Sequence, residues 1–313
     1  MTNIRLFDIG EPMLRRRREI EFKQLMMPGG EPFVELPYGE VVGQCLMVDA
    51  RVGSMDDWGI LLATLDALHR VPLPQKVLLF LPYFPGARGD RVLTGDGTAL
   101  AAQMYQRMLD LYDLHRVVIL DPHSDVTPAL LGHNVSTLPI TDVVGSLRGL
   151  GPAGPVWFTD DNPMYPTWDA IVCPDQGAEK RAAAAAQRLG IDRIVAARKH
   201  RDMSTGMLDG FRVDWPDDMP SNPHVLIVDD ICDGGGTFVG LAERIHDYNC
   251  PEASIDLFVT HGIFSKGVDA LHGIDHVYCT DSFPGRYRHP GERPIDGLVS
   301  LDTLHDLIIE RHT

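Results

Sequence analysis

Residues 224–245 read HVLIVDDICDGGGTFVGLAERI. Val225–Val228 is a compact apolar run without polar alternation, the pattern of a strand buried on both faces. It ends in two carboxylates, Asp229 and Asp230. Asp233 follows, then Gly234, Gly235, Gly236 and Thr237, and then a helical pattern. Three glycines let the backbone approach a ligand closely and present successive N–H groups, and the helix N-terminus adds positive dipole there. The stretch therefore reads as an anion cradle suited to a phosphate. The acid pair beside it is placed to accept hydrogen bonds from sugar hydroxyls or to hold Mg²⁺ directly or through water. A plain glycine turn is the bland alternative, but an acid pair, a third acid and Gly-Gly-Thr make a tight combination. There is no GxxxxGK[ST], and GDGTAL at 95–100 lacks the third glycine of a dinucleotide fingerprint.

Working outward, apolar runs of the same kind recur at Val41–Val48, Lys76–Pro82, Arg116–Asp121, Ala170–Pro174, Arg193–Ala197 and Ile255–His261. Helical patterns lie between them at Asp56–His69, Gly97–Tyr112, Gly177–Leu189, Thr237–Tyr248 and Leu301–Arg311. Ser54, Asp56 and Asp57 give the first of these an N-terminal signal. Alternating strands and helices imply parallel sheets flanked by helices, with ligands bound beyond the carboxyl ends of the strands. The cluster Gly149–Pro155 (GLGPAGP) halves the chain and is the expected linker. Two similar α/β domains, 1–148 and 149–313, follow from it.

Lys plus Arg is 28 and Asp plus Glu is 44 in 313 residues, a net charge of −16, which argues against a generally basic nucleic-acid binder. The four arginines Arg15–Arg18 then read as a solvated or subunit-facing patch. No stretch approaches the roughly 18 uninterrupted apolar residues of a membrane span. The N-terminus has no signal-peptide core, and five scattered cysteines point to a reducing, cytoplasmic setting.

Other segments share an order with this one. QKVLLFLPYFPGARGDR at 75–91 resembles the PYF-x-x-AR-x-DR segment of the ribose-phosphate pyrophosphokinase (PRPP synthetase) family. VVILDPHSD at 117–125 resembles its DLHS segment, and IVCPDQGAEKR at 171–181 its SPD-x-G-x-x-R segment. Lys199-His200-Arg201 resembles its K-x-R, and VTHGIFS at 259–265 and TDSFPG at 280–285 resemble later segments. The glycine loop also resembles that of type I phosphoribosyltransferases.

The resemblance implies two phosphoribosyltransferase-like domains, each a mainly parallel sheet flanked by helices. It implies Mg²⁺-dependent transfer of the β,γ-diphosphate of ATP to the anomeric 1-hydroxyl of a ribose 5-phosphate group, with release of AMP, by a homo-oligomer (dimer or hexamer) whose ATP site a neighbour completes. Arg88, Arg91 and His123 would contact ATP, and His123 and Asp175 would sit around Mg²⁺. Lys199 and Arg201 would stabilise charge at the β-phosphate. Asp229 and Asp230 would hold the ribose hydroxyls, and Asp233, Gly234, Gly235, Gly236 and Thr237 the 5-phosphate, with Asp233 near the attacking hydroxyl. His261 reads as a structural histidine.

The chain departs from the family pattern. Gly234 stands where the family's D-T-x-G-T has its first threonine, so a hydroxyl donor and its bulk are lost. A phosphodiester extended beyond the 5-phosphate gains room, which makes ADP-ribose an alternative acceptor. Leu36–Glu40 replaces F-x-D-G-E, leaving Tyr38 to stack on adenine. Gly89 replaces a glutamine, and Leu93–Thr98 replaces a Ser-Arg-x-Pro stretch that belongs to a phosphate and ADP regulatory site. A phosphoribosyltransferase that consumes PRPP and a non-catalytic relative are the other readings. The first gives 75–91 and 117–125 no role, and the second is at odds with the retained lysine, arginines and acids.

Overall fold

The computed structural model describes residues 3–10, 17–72, 76–92, 97–151, 154–155, 167–201, 208–284 and 295–312, with the backbone alone at 148–151, 154–155, 199–201, 208–209 and 248–249. It is an α/β protein of two mainly parallel sheets flanked by helices, in two compact units. The first comprises Met1–Leu138, Ser282–Pro284 and Asp302–Thr313; the second comprises Pro139–Asp281 and Gly285–Leu301.

The first unit holds β1 (Ile4–Asp8), β2 (Arg18–Ile20), β3 (Lys23–Met26), β4 (Pro32–Glu35), α1 (Tyr38–Val41), β5 (Leu46–Ala50), α2 (Met55–His69), β6 (Val77–Phe80), α3 (Ala101–Leu109), β7 (Arg116–Leu120), α4 (Val126–Leu131) and β8 (Val135–Leu138). Its sheet runs β2-β1-β5-β6-β7-β8, with β5 to β8 parallel and β1 and β2 antiparallel. Every residue of β5 and β6 is buried; β6 reads as an unbroken apolar run, whereas β5 is apolar except for Asp49. The run 41–48 is not one strand. Tyr38–Val41 is a helical turn, and Gly43 at φ +71° redirects the chain before β5. Ser54 caps α2 as its sequence implies, accepting from Asp57 N at 3.1 Å while its hydroxyl donates to Asp57 Oδ2 at 2.8 Å.

The second unit holds α5 (Thr141–Val144), β9 (Leu150–Gly151), β10 (Gly154–Pro155), β11 (Ala170–Cys173), α6 (Glu179–Leu189), β12 (Ile194–Arg201), β13 (Leu208–Val213), β14 (His224–Cys232), α7 (Gly236–Arg244), β15 (Ser254–Gly262), β16 (His276–Thr280) and β17 (Gly297–Val299). Its sheet runs β13-β12-β11-β14-β15-β16-β17 and is parallel except for β13. The core lies around β14 and β15, sealed by Phe238, Leu241 and Ala242 of α7.

The division falls at Leu138/Pro139, ten residues before the expected 148/149. The segment after β8 packs on α6: a Cβ at Gly145 would overlap the Arg188 guanidinium. The C-terminal helix α8 (His305–His312) belongs to the first unit rather than to the C-terminal half. Buried Asp49 of β5 holds it, accepting from His305 Nε2 at 2.9 Å and from Arg5 at 2.5 Å and pairing with Arg51. Arg5 also pairs with Asp302 at 2.5 Å, and the hydrogen bond from Arg5 draws the Asp302 carboxyl down to about 2. Arg17 donates to the Asp302 carbonyl at 3.0 Å, and Arg18 pairs with Glu40. The other two arginines of that run, Arg15 and Arg16, lie outside the described residues, as do Leu93–Asp96. Among the described residues, no helix is long and apolar enough to cross a membrane.

Candidate active site

In the second unit β11, β12, β14 and β15 are parallel, so their carboxyl ends share one edge. Asp229 and Asp230 stand near the end of β14. Arg181 of α6 reaches both, with Nη1 at 3.6 Å from Asp229 and 3.8 Å from Asp230. One guanidinium against two carboxylates leaves a net negative charge in a nearly closed place. Burial, then the charge of Asp230, push the Asp229 carboxyl well above its usual range, and Arg181 offsets only part of this. A cation or a pair of hydroxyl donors arriving there favours the ionised form. Linkage fixes the sign: Asp229 is the more protonated in the free protein, so ligand binding expels a proton, and the release grows as pH falls toward the raised pKa. Titrating ribose 5-phosphate calorimetrically in buffers of different ionisation enthalpy should show this release, and Asp229→Asn should abolish it.

After Cys232 the chain turns through Asp233 and Gly234 to Gly235, which has φ +75° and precedes α7. A Cβ at Gly235 would collide with Leu271 Cδ2, so this position requires glycine for both its backbone and its packing. The Gly235 carbonyl accepts from Phe238 N at 3.0 Å and Val239 N at 3.1 Å, which starts the helix. Around Gly236 there is open space. The loop therefore presents its amides at the N-terminus of a nine-residue helix, the geometry that receives a phosphate.

Asp175 follows β11 at the same edge. Its side chain accepts from Gly177 N at 3.0 Å and so caps the turn into α6. Lys199 and Arg201 do not follow a strand that ends at Ala197. β12 continues through them, pairing Lys199 with Phe211 and Arg201 with Leu208, with a register shift between the two. Backbone pairing with β13 extends the strand irrespective of the polar side chains. The Gly- and Ser-containing sequence Asp202–Gly210 suggests a loop; 202–207 lies outside the described residues, and Leu208–Gly210 belongs to β13 instead, because it pairs with β12. His261 is buried on β15, as a structural histidine would be.

In the first unit the segment after β6 and the turn after β7 meet. Ser124 Oγ donates to Asp90 Oδ2 at 2.6 Å, and Arg91 Nε reaches Asp90 Oδ1 at 3.3 Å. Burial raises the Asp90 carboxyl, but Ser124, Arg91 and the nearby His123 outweigh it and hold it below the usual range. The turn is tight enough to place Asp121 at φ +38°. Arg88 is exposed beside it in the chain. The Gly89 departure has a packing cause: a Cβ there would stand 2.8 Å from the Ala101 Cβ, so α3 occupies the place a glutamine would need. Tyr38, 59% exposed on α1, enters β5 from its amino end, whereas Arg88 and His123 follow the carboxyl ends of β6 and β7. Within this unit the structure does not bring Tyr38 to the edge that carries the other candidates.

Two of these partners, Asp90 and Ser124, lie inside the quoted motifs but show no local sign of pairing. Arg181 closes the 171–181 segment beside Lys180, and only the fold shows that it is the one reaching the acid pair. For a hard divalent cation the fitting donors are the carboxylate oxygens of the second unit's edge. Among the described residues the close chelating triplet is instead Asp49, Asp302 and His305, and Arg5 and Arg51 already neutralise it.

A central parallel strand ending in an acid pair and a glycine turn into a helix is the arrangement of a phosphoribosyltransferase-type protein, and residues 158–283 match the phosphoribosyl transferase domain family. A ribose-phosphate pyrophosphokinase of Granulibacter bethesdensis is 31% identical over 244 residues, 77% of this chain and 71% of that one. One from Thermococcus kodakarensis is 27% identical over 272 residues, 85% of this chain and 86% of its own. One from Mycoplasmopsis pulmonis is 30% identical over 225 residues, 71% of this chain and 64% of the relative's length. The crystal structure of phosphoribosylpyrophosphate synthetase from Mycobacterium smegmatis shares the fold, with a TM-score of 0.74 at 21% identity, covering 93% of this chain and 89% of that one. The chain belongs to the ribose-phosphate pyrophosphokinase family, and is a transferase of that family.

Proposed function

We propose that the chain transfers the β,γ-diphosphate of ATP to the anomeric hydroxyl of a ribose 5-phosphate group. The 1-oxygen attacks the β-phosphorus, the bond from that phosphorus to the oxygen bridging it to the α-phosphate breaks, AMP leaves, and the hydroxyl proton is lost. The observation that carries this reading is the second unit's edge, where the Asp229–Asp230 pair, the glycine loop and the Lys199–Arg201 strand end all leave the sheet in one direction. Asp229 and Asp230 accept from the ribose hydroxyls. Gly234 to Thr237 donate amides to the 5-phosphate, and Asp233 stands near the attacking hydroxyl. Lys199 and Arg201 stabilise charge on the transferred group, while Arg88, Arg91 and His123 bind ATP. Asp175 and His123, with substrate phosphates, are the groups that would hold Mg²⁺, which would supply charge neutralisation of the polyphosphate. Tyr38 fits a homo-oligomer in which a neighbouring copy completes the ATP site. A phosphoribosyltransferase has no use for the Asp90–Ser124 junction, which counts against that reading.

A second acceptor is supported by a specific observation: the space beside Gly234 is lined by Lys266, but Gly236 faces open space, which leaves room there for a group attached beyond the 5-phosphate, as in ADP-ribose. The test is AMP release from ATP and Mg²⁺ with ribose 5-phosphate and with ADP-ribose in parallel. AMP with either acceptor above the no-acceptor blank supports the diphosphotransfer. AMP with neither overturns it.

A further inference from the structure

From the geometry beside the glycine loop we infer that Lys266 is a phosphate-binding residue of the acceptor site, supplying by charge what the missing threonine hydroxyl at 234 would supply elsewhere. The inference rests on the reading of 233–237 as the acceptor's phosphate loop. After β15 the chain does not leave the site. Ile263 N and Phe264 N donate to the Cys232 carbonyl at 2.8 and 3.0 Å, and Ser265 N donates to the Asp233 carbonyl at 3.2 Å. Phe264 takes φ +45° with its ring buried over Gly262, where a Cβ would clash with it, and Gly267 N closes the turn on the Phe264 carbonyl at 2.9 Å. This turn is thus fastened to the loop itself, and it carries Lys266 across Gly234.

A Cβ at Gly234 would stand 3.4 Å from Lys266 Cε, 3.6 Å from Cδ and 3.9 Å from Nζ. The lysine stem therefore lies along the space that a threonine side chain would need. Glycine at 234 and lysine at 266 form one arrangement, in which the ammonium is placed beside the loop's amides. Lys266 is exposed and forms no ion pair with the described residues. An ammonium held at a phosphate cradle without a carboxylate partner recognises the phosphoryl oxygens of the incoming ligand. The ligand class is a 5-phosphoribosyl group. In ribose 5-phosphate the ammonium meets a terminal dianion, and in ADP-ribose it meets a diphosphate.

The test compares the full-length wild type, Lys266→Met and Lys266→Arg by calorimetric binding of ribose 5-phosphate and of ADP-ribose, and by steady-state KM for ATP. Lys266→Met keeps the stem and removes the charge. It should weaken binding of whichever acceptor the wild type takes by about tenfold, with the KM for ATP unchanged, and Lys266→Arg should retain most of the affinity. Gly234→Thr alone should weaken binding by crowding the lysine, and Gly234→Thr with Lys266→Ala should recover part of it. Wild-type binding with an unchanged Lys266→Met affinity overturns the inference and leaves the reading of the loop intact. Failure of the wild type to bind either acceptor overturns both.

Discussion

Lys199→Ala should lower kcat for AMP release by about 100- to 1,000-fold, the usual cost of removing a preorganised charge stabiliser. The KM for the acceptor should change little, because the proposed acceptor contacts lie at β14 and the glycine loop. Lys199 sits where the β12–β13 ladder loses register, between its pairing with Phe211 and that of Arg201 with Leu208. Such irregularities are common at the rim of a sheet, and β12, parallel to β11 and through it to β14, ends on the edge that carries the acid pair. Arg201→Ala should have an effect of the same order. Arg198→Ala is the control: Arg198 is exposed on the same strand, pairs in register with Arg212, and should alter kcat by less than about threefold. Steady-state assays with melting temperatures separate lost chemistry from lost folding. A Lys199→Ala kcat within a few-fold of wild type would remove the lysine from the chemistry.

The second large effect concerns stability and lies at the other end of the same sheet. Asp256 is completely buried near the start of β15, and its carboxylate accepts from Trp168 Nε1 at 2.9 Å. It also faces His224 Nε2 at 2.9 Å and His276 Nδ1 at 3.0 Å. Asp256→Ala leaves the indole N–H buried without an acceptor and should cost about 3 kcal/mol of unfolding free energy by urea denaturation. Asp256→Asn, which keeps an acceptor oxygen, should cost less. Burial draws the His224 pKa down, but the hydrogen bond and charge of Asp256 more than reverse this, so it is raised. A raised histidine contributes stability that is fully present below its unfolded pKa of about 6.5 and is lost as pH rises through the folded value. Wild-type stability should therefore decline over that window, and Asp256→Ala should flatten the decline. An Asp256→Ala variant as stable as wild type, with the same pH profile, would show that the cluster is not holding this end of the sheet.

The central strands were legible because β6 and β11 are wholly apolar and buried, and β5, β14 and β15 carry apolar, buried stretches interrupted only by single acids or ended by polar residues. Most strands that escaped reading are edge or antiparallel ones: β1 reads IRLFD and β13 LDGFRV, and charged or polar residues break their patterns. β16, HVYCT, is an interior parallel strand whose polar ends hide its short apolar stretch. The glycine-proline cluster at 149–155 was the strongest local break. The unit boundary nevertheless lies earlier, at Leu138/Pro139, and Gly145 beyond it lies against Arg188 of α6. The return of α8 to Asp49 had no local signal, since it joins residues 256 positions apart. At the site, the acids and glycines of 229–237 were legible from type and spacing. Lys266 was not, because only the folded turn brings it over Gly234.

The proposed reaction moves a diphosphate intact to the anomeric carbon's oxygen. Phosphorus NMR of ATP, Mg²⁺ and acceptor incubated with the protein tests it most directly. The account predicts AMP and a 1-diphosphate of the acceptor appearing in equal amounts, with no ADP. ADP together with a monophosphorylated acceptor would contradict it.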